Sequence, residues 1–273
     1  MARKKYWNSE ATNARWIKEG RGQGVGNNYK PWLSVRDVAS EGRSHRVYGH
    51  LTNRTHHLLS DLELATFLLL QWRPTTTDIR EQFPLDPTTT KQISIDTGIT
   101  HPSHAGVIQY MSSDLVVNSS EKDRSVFALQ VKPSSKLEDK RTIEKLEIER
   151  RYWLQKGIPW SLVTENQIPS TVFKNIEWLY SLQAENDDEA DYKHLEQYSA
   201  WILQNSNLKI IDLCKDLDSS YSLPIGESLF QLRNLLAKRY FHFDIRIPYI
   251  ELRCSDLISE PIEAIIGVSH VPN

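Results

Sequence analysis

The chain is poor in cysteine. Two in 273 residues, Cys214 and Cys254, stand forty positions apart without the paired spacing of a zinc ligand set. That excludes a disulfide framework and leaves reduced thiols in a cytoplasmic protein as the expectation. Long apolar runs are missing too. The most hydrophobic stretch, 62–72, is broken by Glu63 and falls well short of the ~20 residues a membrane helix needs, and no apolar stretch follows the basic start MARKK. Neither secretion nor membrane insertion is expected. The glycine run GRGQGVG at 20–26 lacks a Gly-Lys-Ser/Thr ending and a preceding apolar strand, so it is no phosphate-binding loop. His45, His50, His56 and His57 form no HExxH frame, which argues against zinc. No Ser/His/Asp arrangement can be argued from spacing.

A net charge is lacking as well: 33 Lys+Arg against 35 Asp+Glu give −2. The average hides a polarity. Residues 1–60 hold 11 basic against 4 acidic side chains, residues 61–181 hold 14 against 16, and residues 182–273 hold 8 against 15, or +7, −2 and −7. The basic end, with Arg36, Arg43, Arg46 and Arg54, reads either as a solvated loop or as a surface for phosphates. With 39% hydrophobic residues and this length, the chain folds without staples.

Periodicity gives the order of elements. A helix is expected over 9–19 and another from Ser60 to 72, apolar nearly all round and therefore buried. Strands are expected at 93–95, 111–118 and 126–132, the last two as a hairpin. A helix over 137–156 and a buried strand over 158–164 complete an α/β unit. After a helix at 170–182, the acidic stretch 184–191 is the candidate linker. Helices at 192–205, 207–217 and 225–239, then extended pieces at 240–247 and 250–258, suggest a winged-helix-like module. Its −7 charge opposes DNA binding and favours docking a protein.

Chemistry concentrates in the hairpin. Asp114 lies mid-strand, where an ionised carboxylate is costly without a cation or several donors. Across from it, alternation puts Gln130 and Lys132 on one face and turns Val131 to the other, so either same-face register sets Asp114 opposite Gln130 or Lys132. An acid and an ammonium so placed suit a divalent-metal nuclease, in which one or two carboxylates and carbonyl oxygens hold Mg²⁺. An ordinary cross-strand ion pair uses the same residues. Glu63 has two readings: an oxygen ligand, or the N3 acid of a capping box opened by Ser60. Glu149, at the margin of the buried stripe of its helix, is a further acid or base, or else an i,i+4 partner of Lys145 or a side chain packed on the Trp153 side.

The segments GRSHRVYGH, HHLLSDLELATFL, DIREQFPL, MSSDLVV, LQVKP and KLEIERRYW stand in a chain that, over about residues 13–182, resembles the TnsA family, endonuclease subunits of Tn-seven-type heteromeric transposases. The resemblance implies a restriction-endonuclease-like catalytic domain (1–183) and a C-terminal winged-helix-like domain (184–273). It implies Glu63, Asp114 and Lys132 as catalytic residues, Glu149 as a further acid, and Glu63, Asp114, Gln130 and the Val131 carbonyl as ligands of Mg²⁺, with Mn²⁺ as substitute. Gln130 stands where related nucleases have a second acid, and Ser113 stands where the wider pattern has proline. The activity implied is hydrolysis of the 5′ ends of the transposon in double-stranded DNA. The partners implied are a TnsB-like DDE transposase and a TnsC-like AAA+ regulator docked by the C-terminal domain, in the bacterial cytoplasm at the nucleoid. A free-standing restriction or repair nuclease of the same fold, and a silent scaffold joining DNA to a regulator, are the alternatives.

Overall fold

A computed structural model describes residues 8–38, 42–183 and 188–259, so Arg3, Lys4 and Lys5 of the basic start lie outside the described residues. The chain divides into two compact units, 1–168 and 169–273. In the first, Ser9 caps α1 (Glu10–Lys18) by accepting the Thr12 N–H. A hairpin follows, β1 (His45–Gly49) and β2 (Arg54–Leu58), and leads straight into α2 (Asp61–Trp72). Next come β3 (Thr76–Pro84), α3 (Pro87–Thr97) and a two-residue pair, β4 (Ser103–His104) and β5 (Val107–Ile108). The unit ends with β6 (Ser112–Ser119), β7 (Val126–Val131), α4 (Lys140–Gln155) and β8 (Trp160–Val163).

The main sheet has the order β3-β6-β7-β8. The expected hairpin of β6 and β7 is present and antiparallel, while β8 returns through α4 to lie parallel to β7. That makes the sheet mixed, because a parallel neighbour needs a long crossover. Cross-strand partners Val116 and Ala128 face a cluster of Leu85, Ile93, Ile148, Tyr152 and Trp153 from the α3 and α4 side. Strand alternation turns Leu115, Val117, Phe127 and Leu129 the other way, and all four are buried.

One reading of the sequence needs correction here, and one strand was not read at all. Residues 93–95, expected as a strand, lie inside α3. Asp86 accepts the Thr89 N–H, Pro87 opens the helix and Gly98 closes it at φ +67°, so strong end signals override two isoleucines. Strand β3 gave no period-2 pattern because it buries Asp78, Glu81 and Gln82 among its apolar residues. The glycine run now has a structural use. Gly22 sits at φ +77°, and a Cβ there would stand 2.2 Å from Pro84 Cγ, so the loop is a close seat for the end of β3.

The second unit holds α5 (Ser170–Tyr180), α6 (Asp188–Gln204), α7 (Ile210–Ser220) and α8 (Glu227–Ala237), then the antiparallel pair β9 (Phe241–His242) and β10 (Ile258–Ser259). The division at 168/169 comes earlier than the expected 183/184. Helix α5 is tied into this unit: Asn175 Nδ2 donates to the carbonyls of Ile245 (2.8 Å) and Ile247 (2.7 Å), and Trp178 stacks on Tyr249. Of the acidic stretch 184–191, residues 184–187 lie outside the described residues and 188–191 already belong to α6. Asp191 is buried against Lys238 and Asn234, which corrects its reading as linker. The extended pieces expected at 240–247 and 250–258 shrink to the two-residue strands. Among the described residues no helix is long and apolar enough to cross a membrane.

Hairpin and sheet are joined by charge. Glu81 has no exposed surface. It receives Arg54 Nη1 on Oε1 (2.8 Å), Arg54 Nη2 on Oε2 (2.6 Å) and the His57 N–H (3.1 Å), and His56 Nδ1 lies 2.8 Å from Oε2. Arg54 also donates to the carbonyls of Ile79 and Gly26. Burial alone would raise the Glu81 carboxyl, but the hydrogen bonds from His56 and Arg54 outweigh it and hold the pKa at about 2. A depressed acid contributes its stability above the unfolded value near 4.5 and loses it as pH falls towards 2. Urea unfolding of the wild type should therefore weaken steeply over that window. Glu81→Gln, which strands the Arg54 cation, should cost about 3–5 kcal/mol at pH 7 and flatten the acid limb. An unchanged limb in a folded Glu81→Gln protein would show that another group sets it.

Candidate active site

Asp114 and Gln130 are cross-strand neighbours: the ladder pairs Leu115 with Leu129, which sets the preceding Asp114 level with Gln130. Gln130 Oε1 accepts the Asp114 N–H (3.0 Å), so the glutamine splints the two strands. Asp114 Oδ2 accepts the Val131 N–H (2.8 Å) and Lys132 Nζ (3.1 Å). Lys132 Nζ also donates to the Val131 carbonyl (2.8 Å), which brings that oxygen beside the carboxylate. Burial alone would lower the Lys132 ammonium, but the charges of Asp114 and Glu63 hold it above the usual lysine value. It stays a cation, suited to orienting water or offsetting negative charge rather than accepting a proton.

Glu63 arrives from the first turn of α2, and its two readings coexist. Ser60 Oγ accepts the Glu63 N–H (3.1 Å), while the carboxylate reaches back to Ser60 Oγ with Oε1 (3.1 Å) and to the Leu59 N–H with Oε2 (2.9 Å). The same Oε2 faces the interior, because α2 is buried on most sides. Burial and then the Asp114 charge push its carboxyl well above the usual range.

Between them lies a residue the sequence did not single out. Gln82 Nε2 donates to Glu63 Oε2 (3.2 Å) and reaches towards Asp114 Oδ1 (3.4 Å), and Ser112 Oγ donates to Gln82 Oε1 (3.2 Å). Gln82 is buried and sits at φ +47°, left-handed inside a strand. Its carbonyl accepts the Trp32 N–H (3.1 Å). The ladder pairs Glu81 with Leu115 and Phe83 with Ser113 but omits the level of Gln82 and Asp114. A run of single polar residues carries no mark of such a break, and the family likeness included DIREQFPL without attaching a role to any of its residues.

Glu149 takes a different place. Its Oε1 accepts Ser113 Oγ (2.6 Å) and Trp160 Nε1 (3.0 Å), and Trp153 Nε1 donates to Ser113 Oγ (2.8 Å). It is buried, and its hydrogen bonds go to Ser113 and Trp160 rather than to Glu63, Asp114 or Lys132. Burial drives its pKa up to about 8 against the hydrogen bonds of Ser113 and Trp160.

The donor set is thus two carboxylates and a backbone carbonyl within one buried cluster. Among the described residues no group of three His, Cys, Asp or Glu side chains is placed to hold a metal ion. Hard oxygen ligands in this number fit Mg²⁺, which binds through one or two carboxylates and keeps waters. Two buried acids with one shared amide donor are short of positive charge, and a divalent cation would supply it.

Comparison with known proteins decides the family. Residues 73–165 match the family model of the TnsA-like endonuclease N terminus and residues 167–245 that of the TnsA endonuclease C terminus. The transposon Tn7 transposition protein TnsA of Escherichia coli is 46% identical over 265 residues, covering 97% of each chain. The chain belongs to the TnsA family. It is therefore an endonuclease of DNA transposition, and its mixed sheet flanked by helices is the restriction-endonuclease-like fold expected of a TnsA catalytic domain. The junction of the two matches, between 165 and 167, agrees with the division of the structure. Glu63 lies before the first match, whereas Gln82, Asp114, Lys132 and Glu149 lie within it.

The environment of Glu149 yields a test. A carboxyl raised to about 8 is protonated at pH 6 in the fold but ionised in the unfolded chain, so it costs stability as pH climbs from about 4.5 towards 8. Glu149→Gln keeps a neutral acceptor for Ser113 and Trp160. Relative to wild type, its stability should improve between pH 6 and 9, and cleavage should fall less than ~10-fold. A loss of 10²–10⁴ in a folded variant, the usual contribution of an acid or base, would return Glu149 to the catalytic set.

Proposed function

We propose that this TnsA-family chain is a Mg²⁺-dependent endonuclease that hydrolyses the 5′-end linkages of a transposon in double-stranded DNA. The observation that carries the reading is the buried pair Glu63 and Asp114 beside the Val131 carbonyl and the Lys132 ammonium. Glu63, Asp114 and the Val131 carbonyl would hold the cation, and Gln130 supports them by fixing the Asp114 backbone rather than by ligating. A divalent cation there would stabilise charge on the non-bridging and leaving oxygens of a phosphodiester.

The residues have separate tasks. Asp114 keeps Lys132 charged and aimed, through the 3.1 Å hydrogen bond. Lys132 orients the attacking water in line with the leaving 3′ oxygen and offsets charge on the phosphoryl group. Splitting the bond there leaves a 5′-phosphate and a 3′-hydroxyl. The basic segment 1–60, at +7, would hold the neighbouring phosphates, with binding that weakens as salt rises.

Transposition needs the other strand cut as well, which the proposal assigns to a TnsB-like DDE transposase that also selects the ends. The second unit would dock a TnsC-like AAA+ regulator. Its acidic balance and the exposed Tyr221, Leu223 and Ile225 in the α7–α8 connection support a protein partner over DNA.

A strand-specific cleavage assay with donor plasmid, partner proteins and Mg²⁺ tests the first part. Asp114→Ala and Lys132→Ala should abolish 5′-strand cutting while 3′-strand cutting by the partner continues, and chelation should stop the former. Cutting by folded Asp114→Ala protein, or site-specific cutting by the wild type alone, would overturn the reading. For the second part, Ile225→Asp should weaken regulator binding in a pull-down and leave Mn²⁺ binding at the first unit unchanged. Full regulator binding by that variant would remove this surface from the interface.

A further inference from the structure

We infer that Gln82 is a positioning residue of the metal site: its side-chain amide ties the two ligand carboxylates together and sets their spacing for a divalent cation. The inference rests on the metal-site reading above, and no motif assigns this residue a role.

Three observations carry it. First, the amide contacts both acids and is fixed in orientation. Ser112 Oγ donates to Gln82 Oε1, which leaves the NH₂ end facing Glu63 Oε2 at 3.2 Å and Asp114 Oδ1 at 3.4 Å. The reverse orientation would aim a carbonyl at two carboxyl groups. Second, the strand is distorted at this residue. A non-glycine residue at φ +47° inside a strand is strained and persists only where its surroundings hold it. Here the surroundings do: Arg54 and His56 hold Glu81 on one side, the Trp32 N–H holds the Gln82 carbonyl, and Phe83 packs 5.9 Å from Trp153 on the other. Glu81 and Phe83 would share a face in a regular strand. The left-handed residue between them lets the first meet the hairpin and the second meet α4, and it sends the intervening side chain into the acid pair. Third, the site has few other donors. Besides Gln82, the donors among the described residues are the Val131 N–H and Lys132 for Asp114 and the helix-cap partners Leu59 and Ser60 for Glu63.

A neutral amide serves such a site because it spaces two acids without cancelling their charge. A lysine or arginine at the same point would neutralise them and compete with the cation. Outer residues that orient metal ligands usually set affinity by 10–100-fold, and that is the effect expected here.

The test is calorimetric titration of the full-length protein with Mn²⁺, without DNA, comparing wild type, Asp114→Ala, Gln82→Leu and Gln82→Gly. Leucine removes both donors at similar volume. Glycine removes the side chain but accepts positive φ, so it keeps the strand geometry if leucine does not fold. The wild type should show one saturable site that Asp114→Ala abolishes. Both Gln82 variants should bind about 10–100-fold more weakly, with wild-type circular dichroism. In the reconstituted cleavage reaction, the Mn²⁺ concentration for half-maximal rate should rise by the same factor, and excess Mn²⁺ should restore the plateau. A merely structural glutamine would lower stability without moving that concentration. Wild-type affinity in a folded Gln82→Gly protein would overturn the inference and leave the metal site standing. Absence of saturable binding by the wild type would instead overturn the metal site itself, and this inference with it.

Discussion

A buried carboxylate must be compensated, and the catalytic unit buries five near its main sheet: Asp78, which lies 3.7 Å from the Arg80 guanidinium, and four around the site, Glu63, Glu81, Asp114 and Glu149. Three different solutions are used. Glu81 is paired with the Arg54 cation and with His56, and it stays ionised down to about pH 2. Glu149 avoids charge: Ser113 and Trp160 satisfy its oxygen, and burial leaves it protonated near neutrality. Glu63 and Asp114 have neither remedy in full. One lysine and a handful of N–H donors serve the pair, and burial together with the Asp114 charge pushes the Glu63 carboxyl up.

The first solution builds the third. Ion pairing at Glu81 pins the β1–β2 hairpin to β3, and β2 passes directly into the cap of α2 that carries Glu63. The next residue along β3 is Gln82. One strand edge thus fixes the hairpin through position 81, the acid pair through 82 and the α4 layer through 83, with the glycine loop seated against Pro84. A register slip of one residue would exchange a buried ion pair for a buried amide and separate all three. The hairpin and loop look peripheral to catalysis, yet they hold the strand distortion that the acid pair depends on.

How much of this could be read beforehand follows from the range of each signal. Gln130, Val131 and Lys132 are consecutive, and alternation set Asp114 opposite either Gln130 or Lys132; the ladder takes the first register, and Lys132 reaches Asp114 at 3.1 Å. Glu63 was readable as a cap because a capping box spans four residues. The sequence left cap and site as rivals, since nothing local states that α2 enters the core at its first turn. Glu149 was placed at the edge of a buried stripe, but its partners Ser113 and Trp160 lie 36 and 11 positions away and no short pattern names them. The expected strand at 93–95 failed because isoleucines favour strands locally while Asp86, Pro87 and Gly98 set helix ends. In the second unit, a run of like charge was read as a linker, yet Asp191 found Lys238 forty-seven positions on and is buried.

Gln82 is the limiting case. Its identity is unremarkable, its neighbours alternate poorly, and its conformation is one that glutamine rarely adopts. Nothing local asks for φ +47° there; contacts from the Trp32 segment, the hairpin and α4 impose it jointly. Local preference and global fold disagree at this position, and such disagreement in an otherwise consistent chain tends to fall at functional sites. The same reasoning explains why the family likeness was informative where periodicity was not. A likeness retains the residues that such non-local contacts require, and DIREQFPL holds both the acid that pins the hairpin and the amide that joins the acid pair.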